Sequence, residues 1–239
     1  MKTTGNTIFI SGGSAGIGFA IAKKLSDGNN IIINGRNQER LQRALAELHN
    51  AIAIQGDLSL ESDRIRIANE LKNNHPEVNI IINNAGFAYS YRLDQTTNVH
   101  EKALQEINTN YIAIIHFTEL MLPHLLQKET AAIVNISSIA AYRSHPLIPT
   151  YSASKAALHG YTTALRASYT EHPNLHVFEV FPPLVNTDFS NEIGGKDGIP
   201  PSEVADELYL GLEKNQVEIP VGMTKKVTQV IHEAMAKLS

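Results

Sequence analysis

Tyr151 and Lys155, in the run Tyr151-Ser152-Ala153-Ser154-Lys155, stand four residues apart. That spacing puts two side chains on one face of a helix. A free phenol has a pKa of about 10 and ionises too little at neutral pH to work well as a base. A neighbouring ammonium stabilises phenolate and lowers that value, so such a pair can exchange a proton with a bound substrate. Taken alone, the pair is also an ordinary exposed helix pair. Ser138 lies 13 residues upstream and offers a hydroxyl that could hydrogen-bond a developing oxyanion. No G-x-S-x-G elbow surrounds it, which disfavours a serine hydrolase.

A second chemical signal lies near the start. The β-prone run Thr7–Ile10 passes into Ser11-Gly12-Gly13-Ser14-Ala15-Gly16-Ile17-Gly18. Gly12, Gly16 and Gly18 have the spacing G-x-x-x-G-x-G. Glycines there allow a tight turn, a close approach of pyrophosphate to the backbone, and close packing of the following helix. The helix N-terminus supplies N–H groups and a positive dipole end for phosphates. No Lys-Ser/Thr follows, so the turn is not a P-loop. A plain glycine-rich turn is the alternative. At the end of the second apolar run, Gly35 and Arg36 occupy the place where NAD-binders carry an acid for the ribose 2′-OH. A guanidinium there can grip a 2′-phosphate, which argues for NADP(H) over NAD(H). Arg36 can equally be one solvated charge of a polar turn.

These residues need elements to hold them. Short apolar runs at Thr7–Ile10, Ile31–Ile33, Ala51–Ile54, Val78–Ile82, Ala131–Ile136, His176–Phe181 and Val217–Val221 predict seven strands. Helical periodicity separates them, including a long helix over about 97–127 with an irregularity near Asn108–Asn110. Further helices are predicted over Tyr151–Glu171, Ser202–Lys214 and 224–238. Strands apolar along their whole length suit a mainly parallel sheet buried on both faces. The expectation is an α/β, Rossmann-like, doubly wound fold, with helices on both faces and ligands beyond the carboxyl ends of the strands. No repeat or linker divides the chain, so residues 1–239 read as one domain. Residues 189–201, rich in Gly and Pro, read as a mobile loop that closes over substrate.

Composition sets outer bounds. Twenty Lys and Arg against 24 Asp and Glu give a net charge of −4, with no basic stripe for nucleic acid. There is no Cys, which excludes disulfides, thiolate-ligated metals and a thiol nucleophile. Ten histidines show no H-E-x-x-H pattern, and no metal is expected. No apolar run reaches a membrane span, and none resembles a signal peptide. A cytoplasmic location is the expectation.

Together with Asn83-Asn84-Ala85-Gly86 after the fourth strand, these motifs, in this order, resemble the short-chain dehydrogenase/reductase family in its single-domain form. The likeness covers nearly the whole chain. It implies catalytic roles for Asn110, Ser138, Tyr151 and Lys155: Tyr151 as acid/base, Lys155 as its partner, Ser138 orienting substrate, and Asn110 helping to hold a water that leads to the lysine. Asn108 competes with Asn110, but its spacing and context fit less well. The likeness also implies cofactor contacts from Gly12, Ser14, Gly16, Ile17, Gly18, Arg36, Asp57, Leu58, Asn84, Ala85, Gly86, Tyr151, Lys155, Val185 and Thr187. Ser11 stands where Thr is usual and keeps the hydroxyl. Pro183 replaces a usual Gly and puts the local loop path in question. Pro182-Pro183-Leu184-Val185-Asn186-Thr187-Asp188 and Val217–Gly222 resemble the DltE-like bacterial branch.

The resemblance implies an NADP(H)-dependent enzyme interconverting a carbonyl and an alcohol on a small molecule by hydride transfer. It also implies a homodimer or homotetramer. A cofactor-binding sensor or scaffold without turnover is the alternative. Phe87, Tyr142, His145 and Phe189, with Tyr89, fall in loops around the expected pocket. They could form a substrate wall, or they could be packing and surface residues.

Overall fold

The computed structural model describes residues 1–95 and 98–237. Seven strands form one sheet: β1 Thr7–Ser11, β2 Asn30–Gly35, β3 Ala51–Gln55, β4 Val78–Asn83, β5 Ala131–Ile136, β6 Leu175–Phe181 and β7 Glu218–Pro220. Their order is β3-β2-β1-β4-β5-β6-β7, and every pairing is parallel. The sheet is therefore wholly parallel rather than mainly so. The helices are α1 Gly16–Ser26, α2 Gln38–Leu45, α3 Glu61–Asn74, α4 Val99–Ile107, α5 Ala113–Leu125, α6 Pro149–Ser168, α7 Pro201–Glu213 and α8 Thr224–Met235. Among the described residues, no helix is long and apolar enough to cross a membrane.

Alternating strand residues feed two cores, as the period of two requires. On one face Ile8, Ile10, Ile31, Ile33, Ile80 and Val134 meet Ile21 and Leu25 of α1 and Val204 and Leu208 of α7. On the other, Phe9, Ile32, Ile81, Ile133 and Val177 meet Ile67 of α3, Phe117 and Met121 of α5, and Leu165 of α6. Burial on both faces explains why these strands are continuous runs of Ile and Val.

Two expectations are corrected and one is borne out. The long helix starts at Val99 and carries the irregularity expected near Asn108–Asn110, a π turn over Asn108–Ile112 that separates α4 from α5. Position 97, where it was expected to begin, lies outside the described residues. The predicted loop at 189–201 contains two 3₁₀ turns, Asp188–Ile193 and Gly195–Asp197. Thr187 and Ser190 cap the first reciprocally, and such caps nucleate structure that composition does not reveal. Helix α6 begins at Pro149, whose fixed φ suits a first helical turn, and ends at Ser168.

Strand order reverses between β1 and β4. The crevice beyond their carboxyl ends is where such sheets bind ligands. The glycine turn leaves β1 there, and Asn84-Ala85-Gly86 leaves β4 beside it.

Candidate active site

The Ser11 hydroxyl joins the two strand ends. It accepts hydrogen bonds from the backbone N–H of Asn84 and Ala85, each at 2.9 Å. Asn84 returns the link, its side-chain amide donating to the Ser11 carbonyl at 2.9 Å. Gly16 has φ of +55°, a left-handed conformation that favours glycine. Gly18 is required for a different reason. A Cβ there would sit 2.3 Å from the Gly12 oxygen and 2.4 Å from the Asn84 amide nitrogen. Helix α1 starts after Ala15 with no side chain capping its first N–H groups. An uncapped helix start in a glycine cradle suits a phosphate group. Ser14 lies in the turn and Ile17 at the start of α1, and the Ser14 hydroxyl approaches Gly35 at the end of β2.

Arg36 follows β2 and is largely exposed, with Nη1 3.7 Å from Oδ2 of Asp57. Gln55, Gly56, Asp63 and Arg66 complete a cavity of about 310 Å³ around them. Asp57 accepts from the Ser59 N–H at 2.9 Å, and Leu58 is buried behind it. The Leu58 carbonyl is fixed by the buried Arg64, which donates to it at 2.7 Å. Val185 pairs with Ile199, and the chain then turns back so that Thr187 lies against Gly16. The residues expected to line a dinucleotide thus meet along one crevice, and their donors and open backbone fit such a ligand.

Helix α6 and the end of β5 bring the other group together. Ser138 follows β5 and caps the short 3₁₀ turn Ile139–Ala141, its hydroxyl accepting from the Ala140 N–H at 3.1 Å. It also hydrogen-bonds Tyr151. Lys155, 4% exposed, donates to the Ile136 carbonyl at 2.8 Å. Its ammonium lies 5.7 Å from the centre of the Tyr151 ring. Asn110 sits in the π turn, fully buried. Its amide accepts from Phe87 N–H and donates to Phe87 C=O, both at 2.9 Å, and donates to Ser154 at 3.0 Å. A Cβ on Gly86 would lie 3.0 Å from Asn110 Oδ1 and 3.8 Å from Lys155 Nζ. Asn108 points elsewhere, donating to the Ser59 carbonyl at 3.0 Å.

Electrostatics here differ from the expectation that the ammonium would lower the phenol. Burial pushes Tyr151 up to about 12; its bond to Ser138 pulls it back, and the Glu106 carboxylate adds to the rise. Burial likewise brings Lys155 down to about 8, opposed by the field of Glu179. Desolvation dominates both groups because both lie in the protein interior.

The four expected substrate residues separate. The ring of Phe189, 45% exposed, lies 5.7 Å from that of Tyr151. Phe87 packs edge-on against Tyr89 beside Asn110. Tyr142 turns away: its ring stacks on Phe181 and meets His159 edge-on, about two helical turns beyond Tyr151. His145 is exposed, and its backbone N–H bonds the Ser152 hydroxyl at 3.2 Å. Ala88, Ile148 and Ile193 pack around Tyr151 instead and carried no sequence signal. Two buried carboxylates near the site, Glu106 and Glu179, were also unforeseen.

The sequence profile described as short chain dehydrogenase matches residues 6–198. The uncharacterized oxidoreductase DltE of Bacillus subtilis strain 168 is 34% identical over 225 residues, covering 92% of this chain and 89% of its own. A short-chain dehydrogenase/reductase from Burkholderia phymatum, solved with NAD, superimposes with a TM-score of 0.87 at 19% identity, covering 100% of this chain and 96% of its own. One from Burkholderia cenocepacia, solved with NADP, gives 0.85 at 23% identity, covering 100% and 97%. The chain belongs to the short-chain dehydrogenase/reductase family and is related to its DltE-like members.

Proposed function

We propose that this protein is an NADP(H)-dependent oxidoreductase that interconverts a carbonyl and an alcohol on a small molecule, with Tyr151 as the acid/base. The observation that carries this reading is the convergence of Tyr151, Ser138 and Lys155 beneath Phe189, at the end of the crevice that begins at the glycine turn. The nicotinamide ring, when bound, supplies or takes the hydride.

The remaining work falls to the side chains. With its phenol pushed up to about 12, Tyr151 holds its proton at neutral pH and can give it to a developing alkoxide. Ser138 donates to the same oxygen and stabilises its charge. Lys155 places a positive charge behind the phenol and can hold the nicotinamide ribose hydroxyls. Asn110 fixes the Phe87 segment beside the lysine. Arg36 holds the 2′-phosphate of NADP(H). Asp57 and Leu58 would line the adenine, and Val185 and Thr187 the carboxamide. Residues 1–239 act as one domain, in which the segment 189–201 covers the substrate through Phe189 and Ile193. Leu104 and Ile112, exposed on and just after α4, suit the contact surface of a homodimer or homotetramer.

The test is NADPH-linked turnover across a panel of aldehydes, ketones and alcohols. Tyr151→Phe is expected to keep cofactor binding and lose about 10²–10⁴-fold in kcat. Tight NADPH binding without turnover on any panel member favours the alternative of a sensor or scaffold.

A further inference from the structure

A buried acid pairs with a histidine behind Lys155. Along β6, Leu175, Val177 and Glu179 face the same side of the sheet, the side covered by α5 and α6. Glu179 is fully buried. One carboxylate oxygen bonds Nδ1 of His159 at 2.9 Å. The other is buried beside the hydroxyl of Ser137, the residue after β5, a neutral group that favours its charged form. A carboxylate so placed needs a positive charge.

Lys155 needs the converse. Its one hydrogen bond among the described residues goes to a neutral carbonyl, that of Ile136. No carboxylate there lies within salt-bridge distance of it. Two relations bring Glu179 close. Lys155 and His159 are one turn apart on α6, and His159 touches Glu179 directly. Ile136 pairs with Val180, the residue after Glu179. The negative field of Glu179 reaches Lys155 and favours its charged form.

We propose that Glu179, held by His159, is the positioning residue that supplies the counter-charge for the buried Lys155 ammonium and thereby sets the alkaline limit of activity. This rests on the reading of Lys155 as part of the catalytic group. The other charged or titratable groups facing the cluster are Tyr151 and Arg166 on α6, Tyr142 after β5, Glu218 on β7 and, beside Tyr151, Glu106 on α4. His159 is partly exposed, so the cluster touches solvent on one side.

Glu179→Gln keeps the shape and removes the charge. In carbonyl reduction, the alkaline limb of kcat/KM is expected to move down by about one pH unit, since a lost opposite charge weakens the charged form. Glu179→Asp should restore part of the shift. A limb that stays in place while only the melting temperature changes overturns the proposal. A second measurement needs neither turnover nor a Glu179 variant. The side-chain carboxyl ¹³C shift of Glu179 is titrated in the wild type and in Lys155→Met. Loss of the ammonium is expected to raise the Glu179 midpoint; identical midpoints overturn the proposal. This arm stands even if no substrate is turned over, so failure of the oxidoreductase reading and failure of the counter-charge are separable.

Discussion

Asn110 closes both backbone polar groups of Phe87 with one side chain, accepting from its N–H and donating to its C=O. The segment that leaves β4 is thereby fixed to the π turn in front of Lys155. Asn110→Leu keeps the volume and leaves both groups without their partner, each costing about 1–3 kcal/mol. We expect a lowered melting temperature and a kcat reduced by about tenfold or more, in keeping with the cost of a misplaced group. Asn108→Leu, which frees only the Ser59 carbonyl, should cost about 1 kcal/mol and leave kcat near wild type. The reverse ranking, read from steady-state kinetics, would transfer the role to Asn108.

Gly18 and Gly160 are both helical glycines, yet their substitutions should act in opposite directions. A Cβ on Gly18 would collide with the Gly12 oxygen and the Asn84 amide. Gly18→Ala must shift the glycine turn or the start of α1, at about 1–3 kcal/mol. It should therefore weaken both folding and nucleotide binding. A Cβ on Gly160, exposed within α6, meets nothing within 4 Å. Gly160→Ala should stabilise the chain by about 0.5–1 kcal/mol through helix propensity alone. Thermal melts and nucleotide titrations of the two variants check both signs.

What could be read from the sequence depended on whether a signal was local. The strands were legible because Ile31–Ile33 or Val78–Ile82 announce burial on both faces. The glycine turn and the Tyr151–Lys155 spacing were legible because their chemistry is set by neighbours in the chain. Even the break in the long helix left a trace at Asn108–Asn110. Glu106 and Glu179 left none. A carboxylate in a sequence reads as solvated, and their burial arises from β6, α4 and α6 meeting in space. Tyr142 shows the same limit: its nearness to Ser138 in sequence suggested the pocket, but its ring is claimed by Phe181 and His159. For the same reason Lys155 and Tyr151 could be paired by spacing, while the depth of burial that dominates both groups could not be foreseen.

Arg36 is expected to decide between the two nicotinamide cofactors, although Asp57 stands 3.7 Å from it. That exposed pair contributes little on its own. A 2′-phosphate carries more charge than one carboxylate and can take both arms of the guanidinium. Arg36→Ala should weaken NADPH by about 10–100-fold, as for a charged hydrogen bond worth about 1.5–3 kcal/mol, and leave NADH nearly unchanged. Calorimetric titration with both cofactors measures the ratio. Equal affinity of the wild type for NADH and NADPH would remove the basis for the preference.

Lys155 should also leave a signature in stability against pH. Its ammonium is brought down to about 8 by burial, whereas in the unfolded chain it titrates at about 10.4. Between these values the unfolded state binds the proton and the folded state does not. Stability must then rise with pH across that window. Below pH 8 both states are protonated, and the cost of burying the charge is borne in full. The gain across the window is on the order of 3 kcal/mol, from a shift of roughly two units or more. Lys155→Met has no proton to lose, so its stability should lack this rise and exceed that of the wild type at pH 7 by a similar amount. Tyr151 works in the opposite sense, but only above about pH 10, because its phenol is pushed up to about 12. Urea unfolding at half-unit steps from pH 7 to 10 separates the two. A wild-type curve that runs parallel to that of Lys155→Met would mean that the buried lysine is solvated well enough to keep its ordinary charge.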